Sequence, residues 1–353
     1  MLRPVIALAI ACSLVSRPAP CQGTSGDVTL HDFRFESGET LPELRLHYVT
    51  LGTPRKDARG VVRNAVLILH GTGGTGRQFL GAGFAGGLYG PGQPLDTTRF
   101  YVILPDNVGH GGSSKPSDGM HARFPHYGYT DMVRAQHEML SRIGVNHLRL
   151  VMGTSMGCMH AWIWGYQYPD FADGLVPLAC APTQIAGRNR MIRRMIMDDI
   201  KSDPAWLGGE YTRQPPGLRS AMQLLFLMTS APLVQQRQAP TRDAADSLIT
   251  AWLDARVTST DANDMLYQFD SSSDYDPSPH LDRITAPVLA INSADDFVNP
   301  PELGIVERLM PRVKKGRFIM IPISDRTRGH GTHTMPSIWG ADLRGFLAQL
   351  PER

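Results

Sequence analysis

With 353 residues, 42% of them hydrophobic, the chain can build one large domain carrying an insertion, or two ordinary domains, around a substantial core. Its 35 basic and 33 acidic side chains leave a formal net charge of +2, which gives no footprint for nucleic acid or for an anionic membrane surface. Four cysteines at irregular spacing make neither a disulfide framework nor a zinc site.

The chain opens on a segment unlike the rest. Arg3 begins a short charged region, residues 5–15 are almost wholly apolar, and Cys21-Gln22-Gly23 offers small residues where a signal peptidase reads. The apolar run is too short to span a bilayer. Residues 1–23 are therefore expected to be a secretory signal peptide, leaving an exported protein, periplasmic or secreted, with no stable membrane insertion. The segment holds Arg3 and Arg17 and no acid, so the mature chain carries equal numbers of basic and acidic side chains. It keeps Cys158 and Cys180, expected to be small core residues; a disulfide between them is the alternative that an oxidising compartment leaves open.

Short apolar, β-branched runs follow at residues 44–51, 65–69, 100–104, 148–152, 174–178, 288–291 and 317–323, with helical stretches between them. Strands alternating with helices specify an α/β fold, a mostly parallel sheet covered on both faces, with its ligand site at the carboxyl ends of the strands. The alternation breaks over residues 182–281, where amphipathic segments at 217–229 and 243–256 predict a helical lid inserted between core segments 24–181 and 282–353. Arg188, Arg190, Arg193 and Arg194, early in that insertion, are expected to form a solvated helix face, with anion binding as the other reading.

Gly153-Thr154-Ser155-Met156-Gly157 stands between an apolar run and a helical stretch. That is the pattern of a nucleophile elbow, a sharp strand-to-helix turn that lifts a serine hydroxyl above the sheet. A serine hydroxyl is a poor nucleophile at neutral pH, so it needs a base and a carboxylate to orient that base. The turn after residue 291 carries Asp295 and Asp296, and the last strand leads to His330 and His333. Asp296 is chosen for its spacing to Pro300, and His330 because it follows Gly329 at the turn and stands at the expected spacing before Pro336. The order Ser155, Asp296, His330 is that of α/β-hydrolases. The oxyanion formed on acyl attack needs backbone donors, assigned to the amides of Met156 and of Thr72 in His70-Gly71-Thr72-Gly73-Gly74. That glycine-rich turn lacks the lysine and spacing of a phosphate-binding loop, and no cofactor or metal is implied.

Four further stretches extend the likeness beyond a general α/β-hydrolase. Phe35-Glu36-Ser37-Gly38-Glu39-Thr40-Leu41-Pro42-Glu43-Leu44, Leu95-Asp96-Thr97-Thr98-Arg99-Phe100-Tyr101-Val102-Ile103 and Asp131-Met132-Val133-Arg134-Ala135-Gln136 resemble the homoserine O-acetyltransferase family, as does Asp203-Pro204-Ala205-Trp206-Leu207-Gly208-Gly209-Glu210-Tyr211. The resemblance implies an eight-stranded α/β-hydrolase sheet, a helical lid, a serine that becomes acylated, and a homodimer formed through the lid. It also exposes departures. The family carries a lid arginine, a tyrosine seven residues on, and an aspartate after the catalytic histidine, all engaging the amino acid; here those places hold Met222, Thr229 and Gly331. Homoserine's carboxylate and ammonium would stay unpaired in such a site, at a cost of several kcal/mol if desolvated. The expected activity is therefore hydrolysis of a small or medium uncharged carboxylic ester through a Ser155 acyl-enzyme, with transfer of the acyl group to an alcohol as the alternative.

Overall fold

The computed structural model describes residues 23–351, so all of the expected signal peptide except Gly23 lies outside the described residues. Among the described residues eight strands form one sheet in the order β1-β2-β4-β3-β5-β6-β7-β8. They are β1 (Thr24–Arg34), β2 (Thr40–Leu51), β3 (Ala65–Leu69), β4 (Tyr101–Pro105), β5 (Leu150–Thr154), β6 (Leu175–Leu178), β7 (Val288–Ser293) and β8 (Gly316–Ile321). From β4 to β8 every pairing is parallel; β2 joins β4 antiparallel, and β1 joins β2 antiparallel from Thr24 opposite Thr50 to Arg34 opposite Thr40.

The central strands read as unbroken apolar runs because both of their faces are covered. In β3, Ala65, Leu67 and Leu69 point into one core layer and Val66 and Ile68 into the other, so period-two alternation sends neighbouring residues to opposite faces without exposing any. Helices α2 (Tyr129–Arg142) and α3 (Met156–Gln167) fill the first layer, α1 (Ala82–Leu88) and α10 (Pro336–Gln349) the second, where Phe84, Leu88, Trp339 and Leu343 pack together. Strand β1 escapes the apolar-run criterion because it is an edge strand of sequence TSGDVTLHDFR, largely open to solvent, with Leu30 and Phe33 as its buried residues.

Between β6 and β7 the chain leaves the sheet. Helices α4 (Gly187–Lys201), α5 (Gly217–Thr229), α6 (Pro232–Gln238), α7 (Arg242–Thr258) and α8 (Ala262–Asp270) occupy this stretch, and the short α9 (Ile305–Leu309) follows β7. Among the described residues no helix is long and apolar enough to cross a membrane.

Two side-chain expectations change. Cys158 and Cys180 are not separate thiols: α3 and the residue pair after β6 bring their Cα atoms to 5.9 Å, and the sulfurs are joined in a disulfide. The four arginines of α4 do not share one environment either. Arg188 and Arg194 are exposed, whereas Arg193 is only 3% exposed, because its helix lays one side against the core through Ile196, Met197 and Ile200.

Candidate active site

Strand β5 ends at Thr154 and helix α3 begins at Met156, which leaves Ser155 alone to turn the chain. It does so at φ 55° and ψ −111°, a conformation that L-residues seldom hold unless the surroundings impose it. The imposing contacts are on either side. A Cβ on Gly153 would stand 1.9 Å from the Gly157 carbonyl oxygen, and one on Gly157 would stand 2.1 Å from the Leu69 carbonyl oxygen. Only glycine lets strand and helix approach this closely, which is the physical content of the G-x-S-x-G pattern.

The turns after β7 and β8 bring the other two groups to the serine. His330 Nε2 lies 2.8 Å from Ser155 Oγ, and His330 Nδ1 lies 2.9 Å from Asp296 Oδ2. Asp296 is 1% exposed. Burial acts to raise its carboxyl, but the facing His330, the Asn299 amide at 3.0 Å and the Val298 backbone amide at 2.8 Å outweigh that and hold it below the ordinary carboxylate value. A carboxylate kept ionised against Nδ1 fixes the tautomer in which Nε2 faces the serine.

The neighbouring residues weighed as alternatives stand elsewhere. Asp295 accepts hydrogen bonds from Ser293 Oγ at 2.5 Å and from the Gly329 amide at 2.9 Å, and so ties the β7 turn to the loop that carries His330. His333 packs its ring 5.0 Å from that of His330, and burial pushes it down to about 3, which keeps it neutral. It bonds neither Ser155 nor Asp296.

The turn after β3 runs against the serine. A Cβ on Gly71 would lie 3.2 Å from Ser155 Cβ, so the peptide leading to Thr72 passes directly beside Ser155. His70, buried and pushed down by desolvation, accepts from the Asn107 amide at Nε2 and thus presents its Nδ1 hydrogen to the Gly71 carbonyl at 2.8 Å. This clamp orients the Gly71–Thr72 peptide. Among the described residues neither the Thr72 nor the Met156 amide donates to another protein group, so both are open to a ligand oxygen. The clamp by His70, the Asn299 contact to Asp296 and the place of Arg193 went unforeseen; a histidine directly after an apolar strand was the signal available for the first.

Ser155 and His330 open into a cavity of about 270 Å³, walled by Phe79, Leu225, Met228 and Phe269 among others. It adjoins a second cavity of about 400 Å³ through Thr72, Leu225, Thr229 and Phe269. Of the three places at which homoserine acetyltransferases carry polar contacts, Met222 lines the second cavity, and Thr229 lines both but spends its hydroxyl on the Leu225 carbonyl at 2.9 Å. Gly331 offers no side chain.

This arrangement is that of an α/β-hydrolase, and the comparisons agree. The chain belongs to the alpha/beta hydrolase fold family, which it matches over residues 64–318, within the branch that includes homoserine O-acetyltransferases. A probable acyltransferase of Methanothermobacter thermautotrophicus is 30% identical over 296 residues, covering 81% of this chain and 87% of that protein. A homoserine O-acetyltransferase of Haloarcula marismortui is 30% identical over 287 residues, covering 73% of this chain and 67% of that protein. The solved structure of an acetylester hydrolase from Corynebacterium glutamicum superposes with a TM-score of 0.80 at 20% identity over 92% of this chain and 96% of that one, which is a likeness of fold.

Proposed function

We propose that the chain is a serine enzyme of acyl transfer, in which Ser155 takes an acyl group from an ester or thioester and passes it to an alcohol other than homoserine. The observation that carries this reading is the continuous line from Ser155 Oγ through His330 to the buried Asp296, with contacts of 2.8 and 2.9 Å, opening onto a cavity. His330 takes the serine proton as Oγ attacks the acyl carbon, Asp296 stabilises the imidazolium, and the Thr72 and Met156 amides receive the oxyanion. Collapse expels the donor alcohol or thiol, protonated by His330. The acceptor hydroxyl then loses its proton to His330 and attacks the acyl-enzyme, which regenerates Ser155.

Two kinds of support bear on the acceptor. Relatives named as acyltransferases favour an alcohol. Met222, the self-satisfied Thr229 hydroxyl and Gly331 argue against homoserine, because its ammonium would go unpaired there. Those same three residues favour water as a second reading, in which the acyl-enzyme is hydrolysed. The helices between β6 and β7 serve in either case as the lid over Ser155. The Cys158–Cys180 bridge suits an oxidising compartment and, with the N-terminal pattern, supports export.

The test is to incubate residues 24–353, with Ser155→Ala as control, with 4-nitrophenyl acetate, alone and with a panel of alcohols that includes homoserine, and to identify the products. Acetylated alcohol that depends on Ser155 supports transfer. Acetate as the sole product points to hydrolysis. O-acetylhomoserine would overturn the argument from the three missing contacts, and release unaffected by the mutation would overturn the acyl-enzyme itself.

A further inference from the structure

Arg193 is a buried cation without a counter-ion. It lies on α4, 3% exposed, in the wall of the same cavity that Ser155 and His330 line. Its Nε donates to Asn189 Oδ1 at 2.9 Å, one guanidinium nitrogen donates to Ser272 Oγ at 3.2 Å, and its charge lies 5.4 Å from the centre of the Phe269 ring. Each of these partners is neutral. Among the described residues no carboxylate comes within 4.0 Å of it.

Several buried carboxylates of the fold, by contrast, meet a basic partner, while Asp96, Asp106, Asp264 and Asp295 are held by neutral amide and hydroxyl donors. Asp131 is paired with Arg134 at 3.0 Å, Asp173 with His147 at 3.0 Å and Arg149 at 3.2 Å, and Asp296 with His330. Burying an arginine without a counter-charge is costly, and two hydrogen bonds and an aromatic face offset only part of that cost. Two buried hydroxyls stand beside it. Burial raises the Tyr129 phenol, while Arg193 and the Thr72 hydroxyl on the oxyanion turn both act the other way, so the two hydroxyls and the guanidinium stand close together. A guanidinium with its positive charge uncompensated, next to two buried hydroxyls, is a receptor for planar oxygen anions.

We propose that Arg193 binds a carboxylate of the substrate, so that the acyl-transfer reaction at Ser155 acts on an anionic ester rather than an uncharged one. This inference rests on the Ser155 reading above. The arginine is not the one its homoserine-acetylating relatives use, whose place on α5 is held here by Met222; the charge comes from α4, through another wall of the cavity. The carboxylate belongs either to the acyl group or to the alcohol, and matched substrates separate the two. On the acyl side, 4-nitrophenyl hemisuccinate is compared with 4-nitrophenyl pentanoate; on the alcohol side, 4-acetoxybenzoate is compared with its methyl ester.

The expected result is that kcat/KM for the anionic member of one pair exceeds that for its neutral partner by at least tenfold. Arg193→Gln removes that preference while neutral-ester turnover is retained, and Arg193→Lys restores part of it; loss of a hydrogen bond to a charged group is worth roughly 10- to 100-fold. A purely structural role, clamping α4 to the segment after α8, would lower turnover of both members alike and leave their ratio unchanged, and that result overturns the proposal. If Arg193→Gln does not fold, the wild-type protein decides. Competitive inhibition of neutral-ester turnover by glutarate but not by glutaramide supports the proposal, and equal or absent inhibition by both refutes it. Failure of the Ser155 reading looks different, since neutral esters would then not acylate the protein at all, while glutarate would still raise its Tm in an Arg193-dependent way.

Discussion

Replacing Cys158 and Cys180 together by alanine tests how far the bridge between α3 and the end of β6 stabilises the fold. The two cysteines are 22 residues apart in sequence. In the chain-entropy account, closing a loop of that size removes about 11 cal/mol/K from the unfolded ensemble, or about 3 kcal/mol at 25 °C. For about 330 ordered residues, an unfolding entropy of ~2.1 cal/mol/K per residue converts that into a fall in Tm of about 5 °C. Alanine also deletes two buried sulfurs, so the wild-type protein reduced while unfolded and then refolded with both thiols free serves as the control that isolates the cross-link. Thermal melts followed by circular dichroism, with and without reductant, supply the comparison. Oxidised wild type should exceed reduced wild type by about 5 °C, and reductant should leave the double variant unchanged. A difference under about 1 °C, or two free thiols titrated in the unfolded but unreduced protein, would refute the reasoning.

His330→Ala should lower kcat for a neutral ester by at least about 10³-fold, whereas His333→Asn, which removes a neutral ring bonded to neither Ser155 nor Asp296, should stay within about tenfold; steady-state assays of both variants check this. Asp296→Asn should lose roughly 10³- to 10⁴-fold in kcat with little change in KM, because the amide no longer holds His330 in the required tautomer, while Asp295→Asn should act mainly on Tm by weakening the tie to Gly329. Asp264 is pushed up to about 6 by burial although Ser117 donates to both its oxygens. Its folded value lies above its unfolded one, so it is the unfolded chain that releases the proton first, and stability falls as pH rises from about 4 through about 6. Urea titrations at several pH values should show Asp264→Asn gaining about 2–3 kcal/mol on wild type between pH 4 and pH 7; a difference independent of pH would contradict the assignment.

Residues whose side chains fill two-sided layers or crowd a turn were the legible ones. The runs around Ala65, Leu150 and Val288 announce buried parallel strands, and Gly153 and Gly157 announce the close approach that raises Ser155. Asp296 and His330 followed from their places after β7 and β8. What stayed hidden depends on long-range geometry. The alternation in β1 is masked by polar residues facing solvent at the sheet edge, and the Cys158–Cys180 bridge depends on how α3 settles against β6, which no spacing encodes. Arg193 is the sharpest case. Four arginines within seven residues have the pattern of a wet helix face, and only the packing of α4 against the core decides that one of them turns inward beside the serine.

Everything proposed for the site requires acylation of Ser155, which trapping the intermediate would reveal. Wild-type protein and Ser155→Ala are each mixed with 4-nitrophenyl acetate, quenched in acid within the first turnover, and digested for mass spectrometry. One added acetyl group is expected on the peptide that contains Ser155 in the wild type, and no acetylated species in the variant. Acetyl on any other residue, or 4-nitrophenol released at the same rate by both proteins without a covalent species, would contradict it.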